Sequence, residues 1–257
     1  MGMKYFILDM DGTIYLGDRL FPDVLFFLER VRKVGGDYIF LTNNSSKSSR
    51  DYVEKLGRLG IEVGEERVLV STHQAIEYLA RVGLRKVYLV GTDILAEQLL
   101  DADFQLESAS PECVLVGFDL TLTYAKLERA CYFIQRGCPW FGTHPDKVCP
   151  TERGSIPDCG SICACIEAAT GVPPARVFGK PSRGMAQMAL ERLGGSLEQT
   201  AVVGDRLYTD MEMALRCGLH GFLVLTGEST LEDWRGYPGR DRVRVWRNLG
   251  EIAESIL

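Results

Sequence analysis

The 257-residue chain has no Cys-x-x-Cys pair, no basic block and no apolar run of 18 residues. Each absence excludes something. The eight cysteines (Cys113, Cys131, Cys138, Cys149, Cys159, Cys163, Cys165 and Cys217) mostly sit inside apolar periodic segments. A thiol there acts as a small hydrophobe, so neither a zinc ribbon nor a disulfide framework is expected, and a reducing cytoplasm is. A net charge of −6 without a basic cluster argues against nucleic acid or an anionic membrane surface as partner. Without a long apolar run, no membrane-spanning helix is expected. Residues 1–4 lead directly into a strand, with no signal-peptide pattern before it. Internal repeats and low-complexity stretches are missing too. The first strand does not run into Gly-x-Gly-x-x-Gly, which excludes a dinucleotide-dependent dehydrogenase.

What remains is a chain that is 46% hydrophobic, enough to bury one large core or two modest ones. It is organised around Tyr5 to Thr13, YFILDMDGT. A continuous apolar run of this kind, ended by Gly, reads as a buried strand of a parallel sheet. Asp9 and Asp11 therefore fall at the strand's C-terminal end, where open α/β sheets bind ligands. Alone, the pair is equally well an Asp-Gly turn.

The remaining chain alternates strands and helices. Pro22 opens a helix with Val24, Leu25, Leu28 and Val31 on one face, and Gly35 closes it. The strand Tyr38–Leu41 runs into Thr42, Asn43, Asn44, Ser45 and Ser46, either a helix N-cap region or a phosphate cradle. A third strand covers 68–71. From Lys86 the pattern restarts, with Asp93 and Thr123 as helix caps and a Pro-, Gly- and Cys-containing loop over 145–160. Gly171, Pro173 and Pro174 then break the chain, so that 74–175 reads as a βαβ-rich insert in a host domain. A strand at 176–178 precedes Gly179-Lys180-Pro181. A strand at 200–203 runs into Gly204-Asp205-Arg206-Leu207-Tyr208-Thr209-Asp210, and a strand at 222–225 precedes a Gly- and Glu-containing loop.

The unusual polar residues lie at strand ends: Asp9/Asp11, Thr42/Asn43, Lys180 and Asp205/Asp210. In a doubly wound parallel sheet such ends share one edge, where these groups converge. Carboxylates, a hydroxyl, amides and one ammonium suit Mg²⁺ and a phosphate, and the inventory matches phosphoryl transfer.

These residues carry a resemblance. DMDGT (Asp9–Thr13), LTNNSS (Leu41–Ser46), GKP (Gly179–Pro181) and GDRLYTD (Gly204–Asp210) are similar to the motifs of the haloacid dehalogenase (HAD) superfamily, in their order. Within it, the chain resembles the NagD-like, p-nitrophenyl-phosphatase-like branch with a C2-type cap. VGFDLTLTY (Val116–Tyr124) and THPD (Thr143–Asp146) extend the likeness through the insert. The resemblance implies an α/β fold: a doubly wound parallel core (1–73 and 176–257) with an inserted α/β cap (74–175). It implies hydrolysis of a small phosphomonoester, a phosphorylated metabolite, with Mg²⁺ as cofactor. Asp9 would be the nucleophile and Asp11 the general acid and base. Mg²⁺ would be held by Asp9, the Asp11 carbonyl and Asp205, with Asp210 behind them. Thr42, Asn43 and Lys180 would grip the phosphoryl group. The branch often dimerises through the cap, which implies a homodimer. Transfer to an acceptor alcohol, or phosphate binding without turnover, uses the same motifs, though intact Asp9 and Asp11 argue against the latter. His144 stands where the branch often has Asn, and either touches substrate or caps a turn.

Overall fold

The computed structural model describes residues 2–151 and 154–256. The chain divides into two compact units. The first comprises Met1–Thr42, Ser49–Leu69 and Lys180–Leu257; the second comprises Asn43–Ser48 and Val70–Gly179. The division at Val70 and Gly179 lies four residues outside the 74–175 insert at each end, and the Asn43–Ser48 turn goes with the insert.

The first unit is built on a six-stranded sheet, in the order Val243–Trp246, His220–Val224, Thr200–Gly204, Tyr5–Leu8, Asp37–Thr42, Val68–Val70. The first five of these strands pair in parallel. Tyr5–Leu8 is central, and Phe6, Ile7 and Leu8 are all buried, as an apolar run covered on both faces requires. Ile7, Ile39, Leu41 and Val202 pack on Met185 and Ala189 of the helix Arg183–Leu193 and on Met213 and Ala214 of Glu212–Cys217. The helix Val24–Lys33 buries Val24, Phe27, Leu28 and Val31. Leu25, expected on that face, is 48% exposed. One residue on from Val24 turns about 100° away, and Phe27 takes the place.

The second unit has a five-stranded parallel sheet in the order Arg176–Val177, Trp140–Gly142, Cys113–Val116, Lys86–Val90, Gln105–Leu106. Alternate residues of one strand feed separate cores. Val114 and Val116 join Trp140, Ile162 and Ile166, whereas Cys113 and Leu115 join Leu79, Phe141 and Phe178. The helix Asp93–Asp101 is capped by Thr92, whose hydroxyl accepts from Leu95 N–H at 3.4 Å, and not by Asp93, which lies in its first turn. Part of the expected 145–160 loop is an antiparallel ribbon of Val148–Thr151 with Gly154–Pro157. Its prolines hid it, although a ribbon with two free edges accommodates them. Residues 152 and 153 of that loop lie outside the described residues. The cysteines are all outside disulfides, and Cys113, Cys159 and Cys163 are buried, the thiol of Cys159 donating to Val116 O at 3.3 Å. No helix among the described residues is long and apolar enough to cross a membrane.

Candidate active site

Sheet register brings the polar strand ends of the first unit together. Leu8 lies opposite Val203 on one side and Phe40 on the other. Asp9 N–H continues the ladder, donating to Val203 O at 2.9 Å. Asp9, Thr42 and Asp205 therefore leave the sheet on one edge. All three are buried.

Lys180 joins them. Its ammonium donates to Asp9 Oδ1 and lies 2.7 Å from Asp210 Oδ1. It also reaches Leu41 O at 3.5 Å. Burial pulls the Lys180 ammonium down, but Asp210 and Asp9 together outweigh it and hold its pKa above the ordinary value. Asp9 Oδ2 meets Thr13 Oγ1 at 3.5 Å, too long to tie that oxygen down. Asp210 sits in a π-helical turn, Leu207–Met211, a device common at functional sites. Its Oδ2 accepts from Arg206 N–H at 3.2 Å. Burial pushes the Asp210 carboxyl up to about 6, with Lys180 pulling it down and Asp9 adding to the rise.

This triad of charges gives a stability prediction. Lys180 and Asp210 are buried and Asp9 nearly so. Lys180→Met leaves the two carboxylates without their cation, a loss typically of about 3–5 kcal/mol. The expected fall in thermal midpoint is roughly 6–20 °C, read by calorimetry on the metal-free protein. An unchanged midpoint would mean that the carboxylates are not both charged.

Carboxylate oxygens of Asp9, Asp205 and Asp210 lie within 4.8 Å of one another. Asp205 Oδ2 accepts from Glu228 N–H at 2.7 Å, while Oδ1 is buried without a hydrogen-bond partner among the described residues. Burial, then the charges of Asp9 and Asp210, hold the Asp205 carboxyl well above the ordinary carboxylate range. A buried acceptor with nothing to accept, crowded by like charge, is what a divalent cation would satisfy. The all-oxygen donor set fits a hard ion. Gly12, at φ +87°, packs so close that a Cβ there would lie 2.4 Å from Asp205 Oδ2. The glycine of Asp-Gly-Thr thus serves a close approach as well as a turn.

Asp11 contributes no carboxylate to that group. It is half-buried and pairs through its backbone with Tyr15. Tyr15 is fully buried; burial first, then the Asp11 carboxylate, raise the pKa of its hydroxyl far above the ordinary value. Lys55 Nζ stands 3.6 Å from the centre of its ring. Neither Tyr15 nor the Thr226–Glu228 segment stood out in the sequence. The available signals were an aromatic two residues after Asp-Gly-Thr and a Gly at the C-terminal end of a buried strand.

Asn43 and His144 lie in the second unit. Asn43 is buried; its Nδ2 donates to Asp146 Oδ1 at 3.2 Å, and its carbonyl accepts from Ser71 Oγ at 2.7 Å. His144 is fully buried, with Nδ1 3.8 Å from Asp146 and Nε2 3.4 Å from Asp158. The two carboxylates lie nearest opposite ring nitrogens, and ligand atoms of the three side chains lie within 4.8 Å of one another. Asp158 also caps the helix Cys159–Thr170. His144 thus places the Thr143–Asp146 turn beside the start of that helix.

Comparison with known proteins shows the family. Residues 6–105 match the profile of the haloacid dehalogenase-like hydrolases, and residues 177–252 match a second, HAD-hydrolase-like profile. The chain is 32% identical to the ribonucleotide monophosphatase NagD of Escherichia coli K12 over 240 residues, 93% of this chain and 94% of that protein. It is 32% identical to the acid sugar phosphatase of Staphylococcus aureus over 232 residues, 90% of this chain and 89% of that protein. The crystal structure of 4-nitrophenylphosphatase from Thermotoga maritima superposes with a TM-score of 0.95 at 40% identity, covering 99% of this chain and 98% of that one. The chain belongs to the haloacid dehalogenase-like hydrolase family, in its NagD-like branch.

Proposed function

We propose that this HAD phosphatase hydrolyses a small phosphomonoester by way of an aspartyl-phosphate on Asp9, with Mg²⁺ as its metal. One observation supports the reading above the others. A buried carboxylate with one oxygen on a lysine and the other untied stands beside two more carboxylates, at the sheet edge where phosphate ligands bind.

In this mechanism Asp9 Oδ2 attacks phosphorus, and the bond from phosphorus to the leaving oxygen breaks. The Asp11 carboxyl gives its proton to that oxygen, so an alcohol leaves. Asp11, now a carboxylate, takes a proton from water as the water attacks phosphorus, and Asp9 is released. Lys180, Thr42 and Asn43 hold the phosphoryl oxygens, and the ammonium of Lys180, on Asp9 Oδ1, holds the nucleophile in place. Asp9, the Asp11 carbonyl and Asp205, with Asp210 behind, would hold Mg²⁺, which would supply charge neutralisation between the nucleophile and the phosphate.

The resemblance assigns the inserted unit the role of a cap that selects substrate. Names of relatives span ribonucleotides, sugar phosphates and nitrophenyl phosphate, so the class they share is the small monoester. Free cysteines fit a reducing cytoplasm, and a homodimer follows from the same branch.

The test is inorganic phosphate release, without added acceptor alcohol, from nucleotides, sugar phosphates and pyridoxal phosphate. Release is expected from at least one class. Chelation is expected to bring it to background, and added Mg²⁺ to restore it. Turnover that persists after thorough chelation would sink the metal role. Release that appears only when an acceptor is supplied would make the enzyme a phosphotransferase.

A further inference from the structure

The segment Thr226–Ser229, after the strand His220–Val224, lies outside helix and strand. It nevertheless grips the strand ends of the site at several points. Glu228 N–H donates to Asp205 Oδ2 at 2.7 Å, and Ser229 N–H to Asp205 O at 3.1 Å. Leu207 N–H donates to Ser229 Oγ at 3.3 Å. Thr226 Oγ1 donates to Gly12 O at 2.6 Å, linking the segment to the Asp9–Gly12 turn as well. The grip leaves Asp205 with one carboxylate oxygen fixed and the other buried and free to ligate.

What orders the segment is on its outer side. Glu228 Oε2 lies 2.9 Å from Arg206 Nε and accepts from Tyr208 Oη at 3.2 Å. Arg206 and Tyr208 follow Asp205 by one and three residues, so the side chain of Glu228 clasps the same loop whose carboxylate its backbone holds. We propose that Glu228 is a positioning residue for the metal: its clasp on Arg206 and Tyr208 seats its backbone N–H on Asp205 and sets the affinity of the site for a divalent cation. This rests on the reading of Asp205 as a metal ligand. The ion pair is exposed on its Glu228 side, 38% accessible against 14% for the Arg206 side chain, and pairs that water still reaches add little to stability. Its loss therefore falls on the placement of Asp205 more than on the fold. Gly227 carries the same logic by another route. A Cβ on it would lie 2.0 Å from Asp205 Oδ2, so Gly227→Ala must push the carboxylate or the segment aside.

The experiment is titration of Mn²⁺ into the full-length protein, followed by electron paramagnetic resonance and calorimetry. Glu228→Ala is expected to weaken Mn²⁺ binding about 10-fold, the lower end for loss of a group supporting a metal ligand, with an unchanged melting curve. Gly227→Ala is expected to weaken it at least as much. Glu228→Gln keeps an oxygen for Arg206 and Tyr208 and is expected to fall between wild type and Glu228→Ala. In turnover, the Mg²⁺ concentration for half-maximal rate is expected to rise by a larger factor than kcat falls. A folded Glu228→Ala that binds Mn²⁺ within twofold of wild type overturns the proposal. Should that variant not fold, Glu228→Gln carries the test by the same criterion. Failure of the wild-type protein to bind Mn²⁺ would instead overturn the assignment of Asp205 as a ligand.

Discussion

Asp9→Asn is expected to lower kcat by about 10⁴-fold or more while the protein stays folded and binds its substrate. An amide oxygen is a poor nucleophile, and the adduct it would form cannot collapse back to a carboxylate. Retention of the fold follows from the contacts. Lys180 keeps Asp210 at 2.7 Å, and Asp9 N–H still bonds Val203 O. Removing a negative charge beside the phosphate also lessens repulsion, so the substrate Kd is expected to hold or fall. The companion measurement is rapid acid quench of the wild-type enzyme with labelled substrate. Label is expected on the peptide containing residues 5–13. An Asp9→Asn enzyme turning over near the wild-type rate would point to direct attack by water and would remove the covalent step.

The elements that carry this chemistry were legible because they lie at the ends of doubly buried strands. Phe6 to Leu8, Tyr38 to Leu41 and Ala201 to Val203 are apolar throughout; the first two stop at Asp9 and Thr42, and the third at Gly204 just before Asp205. Once these strands pair in parallel, register alone sets Asp9, Thr42 and Asp205 side by side. Lys180 needed more. It follows the insert, and only its place in Gly-Lys-Pro set it apart from a surface lysine.

Other features depend on contacts that sequence spacing does not encode. Asn43 meets Asp146 across 103 positions. His144 lies between Asp146 and Asp158, which stand on either side of the paired strands Val148–Thr151 and Gly154–Pro157 that prolines disguise. Glu228 supports Asp205 through a backbone N–H, a donor that every residue but proline has, so its side chain gave no hint of it. Leu25 failed for a simpler reason: at about 100° per residue the buried stripe of that helix runs through Phe27, Val31, Val24 and Leu28, and Leu25 falls to one side of it.

Asp11→Asn is expected to separate proton transfer from nucleophilic attack. The substitution keeps the backbone carbonyl, the Gly12 turn with its 2.8 Å bond from Gly12 N–H to Tyr15 O, and the Asp9–Lys180 pair. It removes a carboxyl that must be acid in one half-reaction and base in the other. Asp11 is half-buried beside a tyrosine hydroxyl whose pKa is raised, not lowered, so Tyr15 cannot stand in as a base. For an alkyl phosphate such as a sugar phosphate, the expected loss in kcat is about 10²–10⁴-fold, the usual worth of a general acid or base. For 4-nitrophenyl phosphate the leaving group needs little protonation. The first step is then expected to recover, leaving hydrolysis of the aspartyl-phosphate as the slow step, since the attacking water has no base. Two readings check this. The ratio of alkyl to nitrophenyl turnover is expected to fall in Asp11→Asn relative to wild type, and the variant is expected to release a burst of nitrophenol matching the enzyme concentration while phosphate lags behind. Equal losses on both substrates without a burst would show that Asp11 acts by holding structure or metal, and the proton would have to be assigned elsewhere.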